Sequence, residues 1–238
     1  MNWDKFHSQF HESWHHKMRP FIESEECDKM YEHLKQRSRK GHIVAPSSSN
    51  TFRCFLETPL DEMKVVLMGM APYHTKIKTM NGDVIVADGL LMGCSNTNYL
   101  QPSLTNFYGA IERELYEGAA MDRNPDVSYL AKQGVLMFNA SLTTEINKAG
   151  VHLDLWHPFT KYVIEEVINY SGVPVVFLGK DAAVFHKYIG PFQWAFKLSH
   201  PAAAAYKGIE WDSEGVFKKV NKILKDNNNF VINWMYKN

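Results

Sequence analysis

Five short segments of the chain carry side chains suited to chemistry. They are Gly69-Met70-Ala71-Pro72-Tyr73-His74, Gln101-Pro102-Ser103-Leu104, Met137-Phe138-Asn139, Gly179-Lys180-Asp181-Ala182 and Ser199-His200-Pro201. Asn139 offers a carboxamide, with a donor and an acceptor side by side. His200 offers a donor that could meet negative charge as it develops on a departing group. Ser103 at a helix start and the Gly179-Lys180 turn could donate to phosphates. A hydrolytic site of this kind would want a carboxylate, yet Ala71 presents a methyl group. Each residue also has a plainer duty. Ser103 suits an N-cap, Lys180 a solvated helix start, Asn139 a loop tie, and Tyr73 and His200 the core.

Their common placement raises the functional interpretation. Lys64–Met70, Gly134–Phe138, Val173–Leu178 and Trp194–Leu198 read as strands, mostly short apolar runs. Between and after them lie predicted helices: one of roughly a dozen residues opened by Ser103, then Pro158–Tyr170, Lys180–Tyr188 and a closing Ser213–Lys225. Strands separated by helices imply an α/β single domain, a central four-stranded parallel twisted sheet flanked by helices. Gly69–His74, Asn139, Gly179-Lys180 and His200-Pro201 each follow directly on a strand. In an open parallel sheet the carboxyl ends of the strands line the ligand crevice, so four polar strand ends are expected to converge. Residues 2–18 and 24–39 read as helices, the first with Trp3, Phe6, Phe10 and Trp14 at helical spacing. Residues 1–40 are thus a helical part packing on one domain spanning 1–238, and 45–50 is a loop.

The 238 residues can bury a sizeable core. Lys plus Arg equal Asp plus Glu at 26 each, so an anionic polymer would have to meet a local basic patch. Three cysteines at irregular spacing suit reduced thiols and a cytoplasmic or nucleoid-associated protein. The N-terminus lacks a signal-peptide core, and no apolar run is long enough for a bilayer. Most of the eleven histidines are scattered, and His15-His16 falls on a helix face. No metal, no cofactor and a monomer are expected. Neither a Gly-x-Gly-x-x-Gly nor a P-loop pattern occurs, which argues against a nucleotide-binding protein of those kinds.

From about Trp14 to Trp234 the ordered motifs resemble uracil-DNA glycosylases, closest to the family 1 pattern. Gly69–His74 is similar to the water-activating Gly-Gln-Asp-Pro-Tyr-His, and Gly89-Leu90-Leu91-Met92 to Gly-Leu-Ala-Phe. Pro102-Ser103-Leu104 with Asn106 matches the Pro-Ser-Leu loop, and Gly134–Asn139 with Leu142-Thr143 the base-reading strand. His152, Trp156, Phe159 and Thr160 resemble the segment that follows, and Val176–Gly179 with Ala182 the fourth motif. His200-Pro201 with Tyr206-Lys207-Gly208 resembles the intercalation loop. The resemblance implies a protein that takes a base out of double- or single-stranded DNA. It gives Asn139 the reading of the flipped base, and Tyr73 a place beside C5 of a pyrimidine. Met92, where the family has phenylalanine, and Met70, where it has glutamine, become walls for the base. His200 would stabilise the departing base anion. Pro102, Ser103, Gly179, Lys180, Pro201, Ala202, Ala204 and Tyr206 would hold the DNA.

The departures matter as much. The family's aspartate becomes Ala71, and a positioned acid–base group is worth about 10²–10⁴-fold in rate. Distant branches with an apolar Gly-x-Ala-Pro motif place a carboxylate downstream. Asp88, directly before Gly89-Leu90, is the preferred substitute, with Asp83 second and Asn81-Gly82-Asp83 also readable as a hairpin turn. Thr75–Asp88 is longer than the family's connection and could add a β-ribbon at the pocket rim. The wedge-bearing Ser-Pro-Leu becomes Ala202-Ala203-Ala204. No lysine is placed by motif for a Schiff base. The expectation is a monofunctional DNA N-glycosylase in repair or phage defence. It would act on uracil or on a bulkier modified pyrimidine, such as a phage-type glycosylated hydroxymethylcytosine. The alternative is an inactive DNA-binding or polymerase-accessory homologue.

Overall fold

The computed structural model describes residues 3–80 and 82–236. Its strands are β1 (Val44–Ala45), β2 (Val65–Gly69), β3 (Lys76–Thr79), β4 (Gly82–Ile85), β5 (Val135–Asn139), β6 (Thr144–Glu145), β7 (Val175–Leu178) and β8 (Ala195–Leu198). Its α-helices are α1 (His15–Ile22), α2 (Glu25–Arg39), α3 (Arg53–Glu57), α4 (Pro102–Leu115), α5 (Ser128–Ala131), α6 (Leu153–Glu166), α7 (Lys180–Ala183), α8 (Pro201–Tyr206) and α9 (Val216–Asn228).

The four apolar runs form one parallel sheet in the order β5-β2-β7-β8. Every residue of β2, β5 and β7 is buried. Helices cover both faces of such a sheet, which is why its strands are uniformly apolar rather than alternating. β8 is the edge strand and is only partly buried. Register aligns the strand ends that carry polar groups: Gly69 faces Asn139, and Leu178 faces Leu198.

Aromatic rings fill the layers. Trp14 meets Phe55 edge-on at 5.0 Å, and Phe55 meets Phe138 at 5.5 Å. A second group joins Phe107 to Phe217 at 5.3 Å and Phe217 to Trp234 at 4.9 Å. Behind the end of β5, buried Glu145 is held by Arg37 of α2 at 2.5 Å and by Lys148 at 2.9 Å. These cations hold its carboxyl well below the usual carboxylate range.

Several element boundaries differ from expectation. Residues 3–14 form three 3-10 turns, and only His15–Ile22 is α-helical; Asn2 lies outside the described residues. Trp3, Phe10 and Trp14 are buried all the same, because the turns stack Trp3 on Phe10, set Phe10 against Phe52 and Phe55, and set Trp14 against Phe55. Pro158 lies inside α6 rather than at its start. The helix expected over 180–188 changes to a 3-10 turn after Ala183, and α9 starts at Val216 behind a left-handed Gly215. The loop at 45–50 begins in β1, which pairs antiparallel with β6. The alanine-rich loop is helix α8, in keeping with alanine's helix propensity.

Candidate functional site

Asn139 ends β5 and is 3 % exposed. Its Oδ1 is buried and has no hydrogen-bond partner. Such an oxygen forfeits its hydration without replacement, a cost that a bound water or a ligand donor would relieve. Space for the carboxamide comes from Gly69, its register partner on β2. A Cβ there would strike the tip of Leu91 and lie 3.2 Å from Asn139 Oδ1. The backbone beyond is fixed: Ala140 N–H donates to Gly69 O at 2.9 Å, and Ser141 N–H to Met70 O at 2.9 Å.

His200 follows β8 at the N-cap of α8, where its Nδ1 accepts from Ala202 N–H at 3.1 Å. Burial pushes its pKa down to about 4. The ring is therefore neutral near pH 7. Because Nδ1 accepts, Nε2 carries the proton and is the free donor. Gly179 follows the adjacent β7 with φ +91°, and a Cβ on it would lie 3.1 Å from His200 Cβ. A side chain would be strained in that conformation and crowd the imidazole. Lys180 is exposed at the first position of α7. Asn106 Nδ2 donates to Pro201 O at 3.2 Å and ties α4 to α8.

Tyr73 and Ser103 meet through their hydroxyls at 2.6 Å. Burial pushes the Tyr73 phenol up, so it stays protonated. This corrects the N-cap expected of Ser103. Gln101 occupies that position, exposed Pro102 is the first helical residue, and the Ser103 hydroxyl is spent on Tyr73. Met92 is buried with φ +58°, a left-handed conformation uncommon for a residue with a side chain. Its neighbour Leu91 donates to Met137 O at 3.0 Å, which docks Gly89–Met92 on β5. The Met70 thioether packs over the turn at Gly150. Ala71 is half-buried.

No family model matches the chain. It is 33% identical over 227 residues to a uracil-DNA glycosylase of Pseudomonas aeruginosa, covering 93% of each chain. It is 31% identical over 230 residues to one from Streptococcus pneumoniae, covering 94% of this chain and 99% of that one. The chain belongs to the uracil-DNA glycosylase family. The crystal structure of the mimivirus uracil-DNA glycosylase has the same fold, with a TM-score of 0.82 at 21% identity over 98% of this chain and 89% of that one.

Within this uracil-DNA glycosylase framework, the carboxylate expected to stand in at Ala71 is not delivered by Asp88. That side chain is completely buried. Its Oδ1 accepts from Leu90 N–H at 3.0 Å. Its Oδ2 accepts from Ser95 N–H at 3.0 Å and Ser95 Oγ–H at 2.7 Å, and pairs with Arg53 Nη1 at 3.1 Å. A carboxylate that is completely buried and engaged by a guanidinium and three donors organises its loop and leaves no open approach for water. Arg53 and Ser95 gave no signal in the sequence, since they reach Asp88 from 35 positions before it and seven after. Asp83 stands on β4, half exposed and paired with Lys76 at 3.1 Å. Of the turn expected at Asn81-Gly82-Asp83, Asn81 lies outside the described residues and the other two open β4. On α8, Pro201 and Ala204 are buried, Ala202 is partly buried and Tyr206 is exposed. Among the described residues no three His, Cys, Asp or Glu side chains gather to hold a metal ion, and no helix is long and apolar enough to cross a membrane.

Proposed function

We propose that this protein is a monofunctional DNA N-glycosylase that flips a base from DNA and hydrolyses its N-glycosidic bond to leave an abasic site. The observation that carries this is the unpartnered Asn139 carboxamide oxygen, buried at a strand end beside Gly69. A pyrimidine edge with an N–H beside a carbonyl satisfies both halves of that amide. The relatives named uracil-DNA glycosylase support the same activity.

When the bond between C1′ and the base nitrogen breaks, its electron pair stays with the base. Negative charge then grows on the base oxygens. A neutral His200 meets that charge with Nε2–H and needs no change of protonation state to do so. Water adds its oxygen to the sugar cation at C1′ and releases a proton to solvent. Ala71 gives no help in that step, so the protein's rate rests on binding and on leaving-group stabilisation.

Uracil is the favoured substrate. Tyr73, matched to the tyrosine beside C5, is held by Ser103 and resists swinging aside for a C5 substituent. The second candidate is a bulkier modified pyrimidine such as a glycosylated hydroxymethylcytosine, favoured by the small Ala71 and the flexible Met92 at the walls. The protein acts as a monomer without metal or cofactor on either substrate. The test incubates the protein with uracil-containing DNA, duplex and single-stranded, and with phage DNA bearing modified cytosines, and counts abasic sites. Product from uracil-DNA alone supports the first substrate. Absence of product from all of them overturns the enzyme assignment in favour of an inactive DNA-binding homologue.

A further inference from the structure

The ribbon β3–β4 is inserted between two walls of the site, leaving just after Tyr73-His74 and returning just before Asp88–Met92. Its base is fixed. Val86 N–H donates to Thr75 O at 3.1 Å, and the Asn96 side-chain amide donates to both Ile85 O and Ala87 O at 3.1 Å. Ile77 packs against the core, and Asn147 N–H donates to His74 O at 2.7 Å. From this footing the pairs Lys76–Ile85, Ile77–Val84, Lys78–Asp83 and Thr79–Gly82 run outward. Strands of four residues give an arm of about 13 Å. Thr79 Oγ–H donates to Gly82 O at 2.8 Å and closes the tip.

Met80 stands at that tip, fully exposed. Ile77, one pair out from the base, is tucked down against the core, whereas Met80 touches no core residue. Lys78 is exposed beside it, while Asp83 on the opposite strand is engaged by Lys76. An apolar tip flanked by a cation is the chemistry of a side chain that enters a base stack from a phosphate-lined groove. A two-stranded ribbon also has the width that the major groove of B-DNA accepts. The usual place for such a wedge is empty of bulk here. After His200, α8 offers only methyl groups from Ala202 to Ala205, and Tyr206 sits at its far end.

We propose that the β3–β4 ribbon is a DNA-contacting arm whose tip residue, Met80, fills the space left in the stack by the flipped nucleotide, with Lys78 on the adjoining phosphate. This rests on the assignment of the protein as a base-flipping DNA glycosylase.

The test uses the full-length protein and a duplex with a central tetrahydrofuran abasic analogue next to 2-aminopurine. Binding is read by anisotropy at several salt concentrations, and unstacking by 2-aminopurine fluorescence. M80A is expected to weaken binding by about tenfold and to remove most of the fluorescence rise, with recovery in M80L. K78A is expected to lower the slope of log affinity against log salt by about one. Wild-type binding and fluorescence in both M80A and K78A would overturn the proposal. So would loss of the fluorescence rise in Y206A with M80A unaffected, which would place the wedge on α8. Failure of the wild-type protein to bind either this duplex or a uracil-containing one would bring down the glycosylase assignment itself.

Discussion

Gly69 and Asn139 face each other across β2 and β5, and the missing side chain of the first makes room for the carboxamide of the second. The vacant acceptor at Oδ1 is therefore a product of sheet register, not of a flexible loop. Asn139→Ala should lower kcat/KM by about 10²–10³-fold, since a site built around polar groups depends on pairing them. It should not lower the melting temperature, because an unsatisfied buried oxygen is removed along with its cost of about 1–3 kcal/mol. Parallel thermal melts and abasic-site assays check both; a large drop in melting temperature would mean that the amide is structural.

His200 should act in its neutral form. With a folded-state pKa of about 4, it loses this form only in strong acid. The pH–rate profile of kcat should show no limb near 6.5 that disappears in His200→Asn. For stability the sign runs the other way from a paired histidine. The unfolded state binds the proton first, so stability falls as pH drops from about 6.5 to about 4. Urea melts across that window should show a shallower slope in His200→Asn. His200→Ala should cost about 10²–10³-fold in kcat, as for loss of one oxyanion donor.

Asp88→Asn should act on folding, not on chemistry. It removes the charge facing Arg53 inside the protein and should destabilise by about 3–5 kcal/mol. Activity per folded molecule at low temperature should stay within a few-fold of wild type. Intact stability with lost catalysis would restore Asp88 as the water-activating group.

Ala71→Asp places a carboxylate where this chain has none. The rate on uracil-DNA should rise by about 10²-fold or more. Single-turnover kinetics isolates that step, and an unchanged rate would show that the catalytic water is handled elsewhere.

The sheet and the convergence of its ends were legible in the sequence because buried parallel strands are continuous apolar runs. Leu67 and Phe177 sit in runs too short for an ordinary helix and apolar throughout, as a strand buried on both faces requires. The strand-end positions of Asn139 and His200 were legible for the same reason, and the roles proposed for them rest on those positions. What the sequence hid is what distant segments do to one another. Asp88 looked free beside Gly89, yet its surroundings are set by Arg53 and Ser95. Ser103 looked like a cap, but Tyr73 claims its hydroxyl. The aromatic period at Trp3–Trp14 predicted burial correctly and the helix wrongly, since 3-10 turns also bring such rings to one side.

The cap on α8 is an imidazole, not a serine or aspartate. The ring plane of His200 and the axis of α8 are thus coupled through one hydrogen bond at 3.1 Å. A duplex leaning on α8 would turn the ring as a lever turns its pivot. On the roles proposed for them, grip on the DNA and aim of the Nε2–H hydrogen bond would be a single mechanical setting.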